Sequence, residues 1–121
     1  MAFANSEDGE LIMALVKVAD VGALQPGNLI KFEHNGEAIL VANVDGTYCA
    51  IANSCPHAGG DLSRGVIEEG TVTCPQHGAR FDLRTGRNVG GAKILLMKIL
   101  VQDARRFPVT VTGDDVLVEV G

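Results

Sequence analysis

The chain reads as all-β: a small sandwich or barrel of short strands. Three observations predict this. Turn signals recur at short intervals, at Gln25-Pro26-Gly27, His34-Asn35-Gly36, Val44-Asp45-Gly46, Glu69-Gly70, Arg84-Thr85-Gly86 and Thr112-Gly113-Asp114, a rhythm typical of short strands joined by tight turns. Several intervening segments alternate apolar with polar residues, as in Ile30-Lys31-Phe32-Glu33 and Val118-Glu119-Val120, the period of a strand with one buried face. The composition, 46% hydrophobic with 15 glycines and only 4% aromatic, suits many short elements and gives no sign of disorder.

Taken in order, strands are expected at Met13 to Val18, ahead of the Gln25-Pro26-Gly27 turn, then at Leu29 to Glu33 and Ala38 to Asn43 on either side of Asn35-Gly36. Tyr48 to Ala52 follows Asp45-Gly46, Thr71 to Cys74 follows Glu69-Gly70, and Ala79 to Leu83 runs up to the Arg84-Thr85-Gly86 turn. Val109 to Thr112 and Val116 to Val120 flank Gly113-Asp114. With 121 residues the chain is expected to be a single domain, 1–121, able to bury a modest core without disulfides.

The odd number of cysteines, 3, argues against a disulfide framework. Cys49, in Thr47-Tyr48-Cys49-Ala50-Ile51, is read as a buried thiol on a strand. A net charge of −5 with no long basic block argues against nucleic-acid or membrane-surface partners. Met1 to Glu10 holds no basic residue and resembles neither a secretory nor a twin-arginine signal. No run reaches the roughly eighteen apolar residues of a membrane span, so the expected location is the cytoplasm.

Chemistry concentrates in two short pairs, Cys55-Pro56-His57 and Cys74-Pro75-Gln76-His77. Each offers one thiolate and one imidazole, a donor set that suits either zinc or an iron–sulfur cluster. Proline after each cysteine cannot donate to a ladder, so both pairs are expected where strands run out into loops. Gly59, Gly60 and Gly78 nearby would let backbone N–H groups approach sulfur closely, or serve simply as turn glycines. A structural zinc site with two cysteines and two histidines is permitted. Finger-type spacing, however, keeps the cysteines in one pair and the histidines in the other, and the mixed pairs here suit a two-metal cluster better.

The stretch Asn53 to Gly86 resembles the Rieske family, through Cys-Pro-His-x-Gly-Gly-x-Leu (Cys55 to Leu62) and Cys-Pro-x-His-Gly-x-x-Phe-Asp-x-x-Thr-Gly (Cys74 to Gly86). The resemblance implies a small antiparallel fold whose cluster-binding part, about 53–86, is formed by two loops. It implies a [2Fe–2S] cluster with two histidines replacing cysteines on one iron: Cys55 and Cys74 on the inner iron, His57 and His77 on the outer. Respiratory members of the family carry a further cysteine in each loop, joined as a disulfide, where this chain has Gly60 and Gln76. They also place a serine and a tyrosine against the cluster sulfurs, where this chain has Ala79 and Phe81. Fewer donors to sulfur imply a potential toward the low end of the family range of about −150 to +300 mV.

That combination is similar to the Rieske-type ferredoxins of bacterial aromatic-ring oxygenases. The resemblance implies an electron carrier and not an enzyme in itself, served by an NAD(P)H-dependent flavoprotein reductase upstream and a terminal oxygenase downstream. Two other readings stand beside it: the small Rieske subunit of a larger oxidoreductase, nitrite-reductase-like or arsenite-oxidase-like, and a zinc-stabilised interaction module.

Other features are read plainly. Lys93 to Val101 is the most apolar run, where related ferredoxins have a proline-containing loop. It is expected to be a buried strand or short helix, with an exposed docking surface as the alternative. His34 is read as a solvated turn residue, Arg64, Arg80, Arg84 and Arg87 as exposed loop residues, and Asp61 and Asp82 as turn or capping acceptors. No phosphate-binding glycine loop is present.

Overall fold

A computed structural model of the chain describes residues 2–3, 13–55, 60–76, 78–90, 92–94, 97–99 and 102–120. In chain order the strands are β1 (Ala2–Phe3), β2 (Met13–Asp20), β3 (Leu29–His34), β4 (Glu37–Val44), β5 (Thr47–Ala52), β6 (Val66–Glu68), β7 (Thr71–Thr73), β8 (Arg80–Asp82), β9 (Asn88–Gly90), β10 (Ala92–Ile94), β11 (Met97–Ile99), β12 (Arg106–Phe107), β13 (Val109–Thr112) and β14 (Asp115–Val120). Among the described residues one 3-10 turn, Leu62–Arg64, precedes β6. Among the described residues there is no α-helix.

The strands form three four-stranded sheets, ordered β1-β2-β14-β13, β12-β5-β4-β3 and β6-β7-β8-β9, with β10-β11 as a separate hairpin. The pairings are antiparallel. Local sequence fixes the hairpins. Between β4 and β5, Val44 pairs with Thr47 and the two residues between them, Asp45 (φ 52°) and Gly46 (φ 92°), both lie in the left-handed region. This is the turn whose twist matches that of the flanking strands, and Asp-Gly adopts it at little cost. Asn35-Gly36 and Glu69-Gly70 make the same turn.

The middle sheet is covered on both faces. Toward the β2-β14 sheet, Ile39, Val41, Ala50, Phe107, Val118 and Val120 close one core, with Val16, Ile30 and Phe32 packed against it. On the other face Leu40, Ala42, Val44, Cys49 and Ile51 pack against Cys55, Leu62, Val72, Cys74, Phe81 and Leu83. Residues of alternate parity in β4 therefore serve alternate cores, and Ile39 through Val44 are all buried. That continuous apolar run is the signature of a strand with no solvent face. Its one polar member, Asn43, is satisfied: Nδ2 donates to the Leu24 carbonyl at 2.8 Å and Oδ1 accepts from the Gly46 amide at 2.7 Å.

The eight strands expected from sequence are present, most of them within a residue or two of the expected bounds. The third sheet is larger than anticipated, because β6 and β9 are strands of three residues, too short to show a period. The apolar run differs more. Where one continuous strand or short helix was expected, β10 and β11 pair antiparallel across residues 95–96, with Ile94 opposite Met97. Backbone pairing breaks the run into two, and the expected burial of its side chains lies outside the described residues.

Phe81, fully buried in the core that holds both loop cysteines, is the largest side chain there. Phe81→Ala is expected to cost about 3–5 kcal/mol, whereas Val89→Ala, at an exposed site, should stay within about 0.5 kcal/mol; urea unfolding of both variants checks the contrast.

Candidate metal centre

The two cysteine-bearing loops leave neighbouring sheets and meet over the second core. β5 ends at Ala52, and the chain then makes an isolated bridge between Ser54 and Asp61. Within that bridge the Cys55 amide donates to the Gly60 carbonyl at 2.8 Å, closing the first loop at its base. In the second loop, directly after β7, the Cys74 amide donates to the Ala79 carbonyl at 2.7 Å and the Gly78 amide donates to the Cys74 carbonyl at 3.1 Å. The strand stops at Thr73, one residue earlier than expected. Cys55 and Cys74 are both buried and outside any disulfide.

Gly60 is where the loops touch. A Cβ there would lie 2.8 Å from Cys74 Sγ and 3.4 Å from Cγ and Cδ of Gln76, so only glycine permits this approach. Gly60 and Gln76, the two positions without the extra cysteines of respiratory proteins, are thus neighbours. The arrangement fits the sulfur end of a two-thiolate, two-imidazole site: the Cys74 thiol lies close against the first loop at Gly60, and both cysteines share one apolar core. His57 and His77 lie outside the described residues, as do Pro56, Ala58 and Gly59. Among the described residues no three metal-ligating side chains converge.

A polar clamp that the sequence did not disclose holds the first loop from beneath. Asp61 caps the 3-10 turn. Its Oδ1 accepts from Asn53 Nδ2 at 2.7 Å, from the Ser63 amide at 3.1 Å and from the Ser63 hydroxyl. Its Oδ2 accepts from Lys31 Nζ at 3.2 Å, which reaches over from β3. Asn53, almost fully buried, completes the ring by accepting from the Ser63 amide at 2.9 Å. These bonds, Ser63 first, hold the Asp61 carboxyl well below the usual carboxylate range. Asp61 is the capping residue expected. Nothing in the sequence around Lys31 or Asn53 marked them as its partners.

The remaining candidates fall where the plain reading put them. Cys49 is buried on β5, its thiol directed at the Thr47 carbonyl at 3.7 Å, and burial pushes its pKa up. Asp82 Oδ1 accepts from the Arg84 amide at 2.8 Å and the Thr85 amide at 3.2 Å, stopping the turn after β8. His34 ends β3 and meets Asn35 at 3.2 Å. Arg64, Arg80, Arg84 and Arg87 are exposed. No helix among the described residues is long and apolar enough to cross a membrane.

With this geometry in place, comparison with known proteins is decisive. The Rieske [2Fe-2S] domain matches residues 14–94, and the chain belongs to that family. It is 42% identical over 108 residues, 89% of this chain and 94% of the relative, to the ferredoxin component of biphenyl 2,3-dioxygenase from Rhodococcus jostii (strain RHA1). Among solved structures it is similar to the ferredoxin of carbazole 1,9a-dioxygenase from Nocardioides aromaticivorans IC177, with a TM-score of 0.72, 33% identity, and 86% of this chain and 95% of that one covered. It is also similar to a chain in a complex of reduced oxygenase and oxidised ferredoxin of carbazole 1,9a-dioxygenase, with a TM-score of 0.74, 26% identity, and 86% and 91% covered. The zinc-module reading gives way to the [2Fe–2S] family.

Removing the clamp should loosen the first loop. Asp61→Ala leaves the Asn53 amide without its partner and is expected to cost about 1–3 kcal/mol, read by thermal unfolding at pH 7. Because folding lowers the Asp61 pKa, its contribution is complete above the unfolded value of about 3.9 and is lost as pH falls below it. The gap between wild type and Asp61→Ala should therefore shrink between about pH 4 and pH 2, and a constant gap would contradict the clamp.

Proposed function

We propose that this protein is a one-electron carrier in which Cys55, His57, Cys74 and His77 hold one Rieske [2Fe–2S] cluster. It takes electrons from an NAD(P)H-dependent flavoprotein reductase and passes them to the terminal oxygenase of an aromatic-ring dioxygenase system in the cytoplasm. The observation that carries this reading is the family match spanning both loops, whose cysteines are both buried in one core. Relatives matched over nearly their whole length are named as ferredoxin components, which favours a separate carrier over a fixed subunit of a larger oxidoreductase. One of the similar structures is a ferredoxin bound to its oxygenase, a precedent for the downstream partner.

When bound, the cluster supplies a reversible one-electron couple, and two imidazoles in place of thiolates make reduction easier than in an all-cysteine ferredoxin. The protein's own part is to hold and shield. Leu62, Val72, Phe81 and Leu83 wall the cysteines from water. Gly60 lets the loops close, and the Asp61 clamp fixes the first loop to β3. On this reading the chain is one unit, 1–121, with residues 53–86 as the cluster-holding part.

EPR of the purified protein before and after dithionite tests the proposal. The expected result is a signal that appears only on reduction, with the low average g of mixed thiolate and imidazole ligation, and that is lost in His57→Ala and His77→Ala. A colourless, zinc-loaded, EPR-silent protein would overturn it.

Ala79 and Phe81 share the buried core of the loop cysteines, and Ala79 accepts the Cys74 amide bond. By the family resemblance, a hydroxyl introduced at either place would donate toward sulfur. Ala79→Ser and Phe81→Tyr are each expected to raise the reduction potential measured by protein-film voltammetry; unchanged potentials in both would show that the missing donors do not set it.

A further inference from the structure

A notch opens on the flank of the middle sheet, where β12 covers only part of β5. β12 pairs with Ile51 and Ala50, and Pro108, which has no N–H to extend the ladder, then turns the chain away toward β13. The exposed part of β5 borders a cavity of about 250 Å³ lined by Thr47, Tyr48, Cys49, Ala50, Arg84, Arg106, Phe107 and Val109. Two opposed chemistries meet in it. Half-buried Val109 gives an apolar wall, backed by Ala50 and Phe107, which are nearly fully buried in the core toward β14. Tyr48 contributes its ring, since its hydroxyl is committed to the Val21 carbonyl at 2.7 Å.

Arg84 and Arg106 bring two exposed guanidiniums, neither of which pairs with a carboxylate among the described residues. They are held together: Arg106 Nε donates to the Arg84 carbonyl at 3.1 Å. Burial raises the pKa of the Cys49 thiol, while the charges of Arg84 and Arg106 both oppose that rise, placing both within electrostatic reach of the cavity floor. Asp82 is the local counter-charge, and its Oδ1 is already occupied by the amides of Arg84 and Thr85.

We propose that this notch binds a small carboxylate with an apolar body, its charge on Arg84 and Arg106 and its body against the Tyr48 ring and Val109. In a chain of net charge −5, two unpaired guanidiniums over an apolar hollow select an anion, and charge-assisted donors give it direction. The volume lies below the usual range for large ligands, about 300–1,000 Å³, which excludes a dinucleotide. None of the residues lining the cavity belongs to either cysteine loop. The site is therefore separate from the loop tips, and it stands whether or not the electron-transfer reading does.

Tyr48 is the chain's only tyrosine and there is no tryptophan, so intrinsic fluorescence reports on the cavity wall itself. The intact protein as purified is titrated with cyclohexanecarboxylate, which does not absorb where tyrosine does, beside its neutral analogue cyclohexylmethanol and inorganic phosphate. The expected result is a saturable change with the carboxylate, at least about tenfold weaker with either comparison compound and about tenfold weaker in Arg84→Gln and Arg106→Gln. Arg84→Gln keeps the backbone carbonyl that Arg106 uses, so an unchanged melting temperature in that variant separates lost binding from lost folding. No saturation through the millimolar range, equal binding of the alcohol, equal binding of phosphate, or full affinity in a folded Arg84→Gln would each overturn the proposal.

Discussion

The structure depends on the β4–β5 pair being buried on both faces. One face closes the core toward β14, which is ordinary sandwich packing. The other is the floor on which both cysteine loops rest, so the stability of the fold and the placement of the candidate ligands share the same two strands. Leu40, Ala42 and Ile51 pack on the side of Cys55 and Cys74, while Ile39, Val41 and Ala50, their immediate neighbours in sequence, pack on the other. A disturbance in either core is thus transmitted to the loops through a single layer of backbone.

The loops show a division of labour between apolar and polar contacts. Apolar packing excludes water from the cysteine side chains, and backbone bonds close each loop at its own base. The first loop's tie to β3, the edge strand of the sheet it leaves, is the Asp61 carboxylate, which gathers Lys31, Asn53 and Ser63. A half-exposed ion pair such as Lys31–Asp61 contributes little by itself. The weight falls on the buried amide of Asn53, which has no water to turn to if Asp61 is lost.

Sequence revealed what was local. Asn35-Gly36, Asp45-Gly46 and Glu69-Gly70 could be read as turns because positive φ is a property of the residues that adopt it. The two Cys/His pairs could be read because ligand chemistry and proline are written into a few consecutive letters. What stayed hidden was set by distant chain. β12 is a strand only because Ile51 and Ala50 lie beside it, and Leu95-Leu96, between β10 and β11, carries no turn residue. Lys31 reaches Asp61 across thirty positions, and Arg84 meets Arg106 across twenty-two. Neither pairing leaves a trace in local composition.

The covering of β4 on both sides also removes an ordinary safeguard. A strand with one wet face resists slipping by one residue, because the slip would drive its polar side chains inward. From Ile39 to Ala42 a slip exchanges one set of aliphatic side chains for another, and hydrophobicity alone does not object. Alignment of the strand must then be enforced from its ends, by the two-residue reversals at Asn35-Gly36 and Asp45-Gly46 that count out which residue faces which, and by Asn43, whose amide finds its partners in one alignment. In this molecule the turns act as the gauge of the sheet as well as its connectors, and the cysteines packed over β4 and β5 inherit their position from that count.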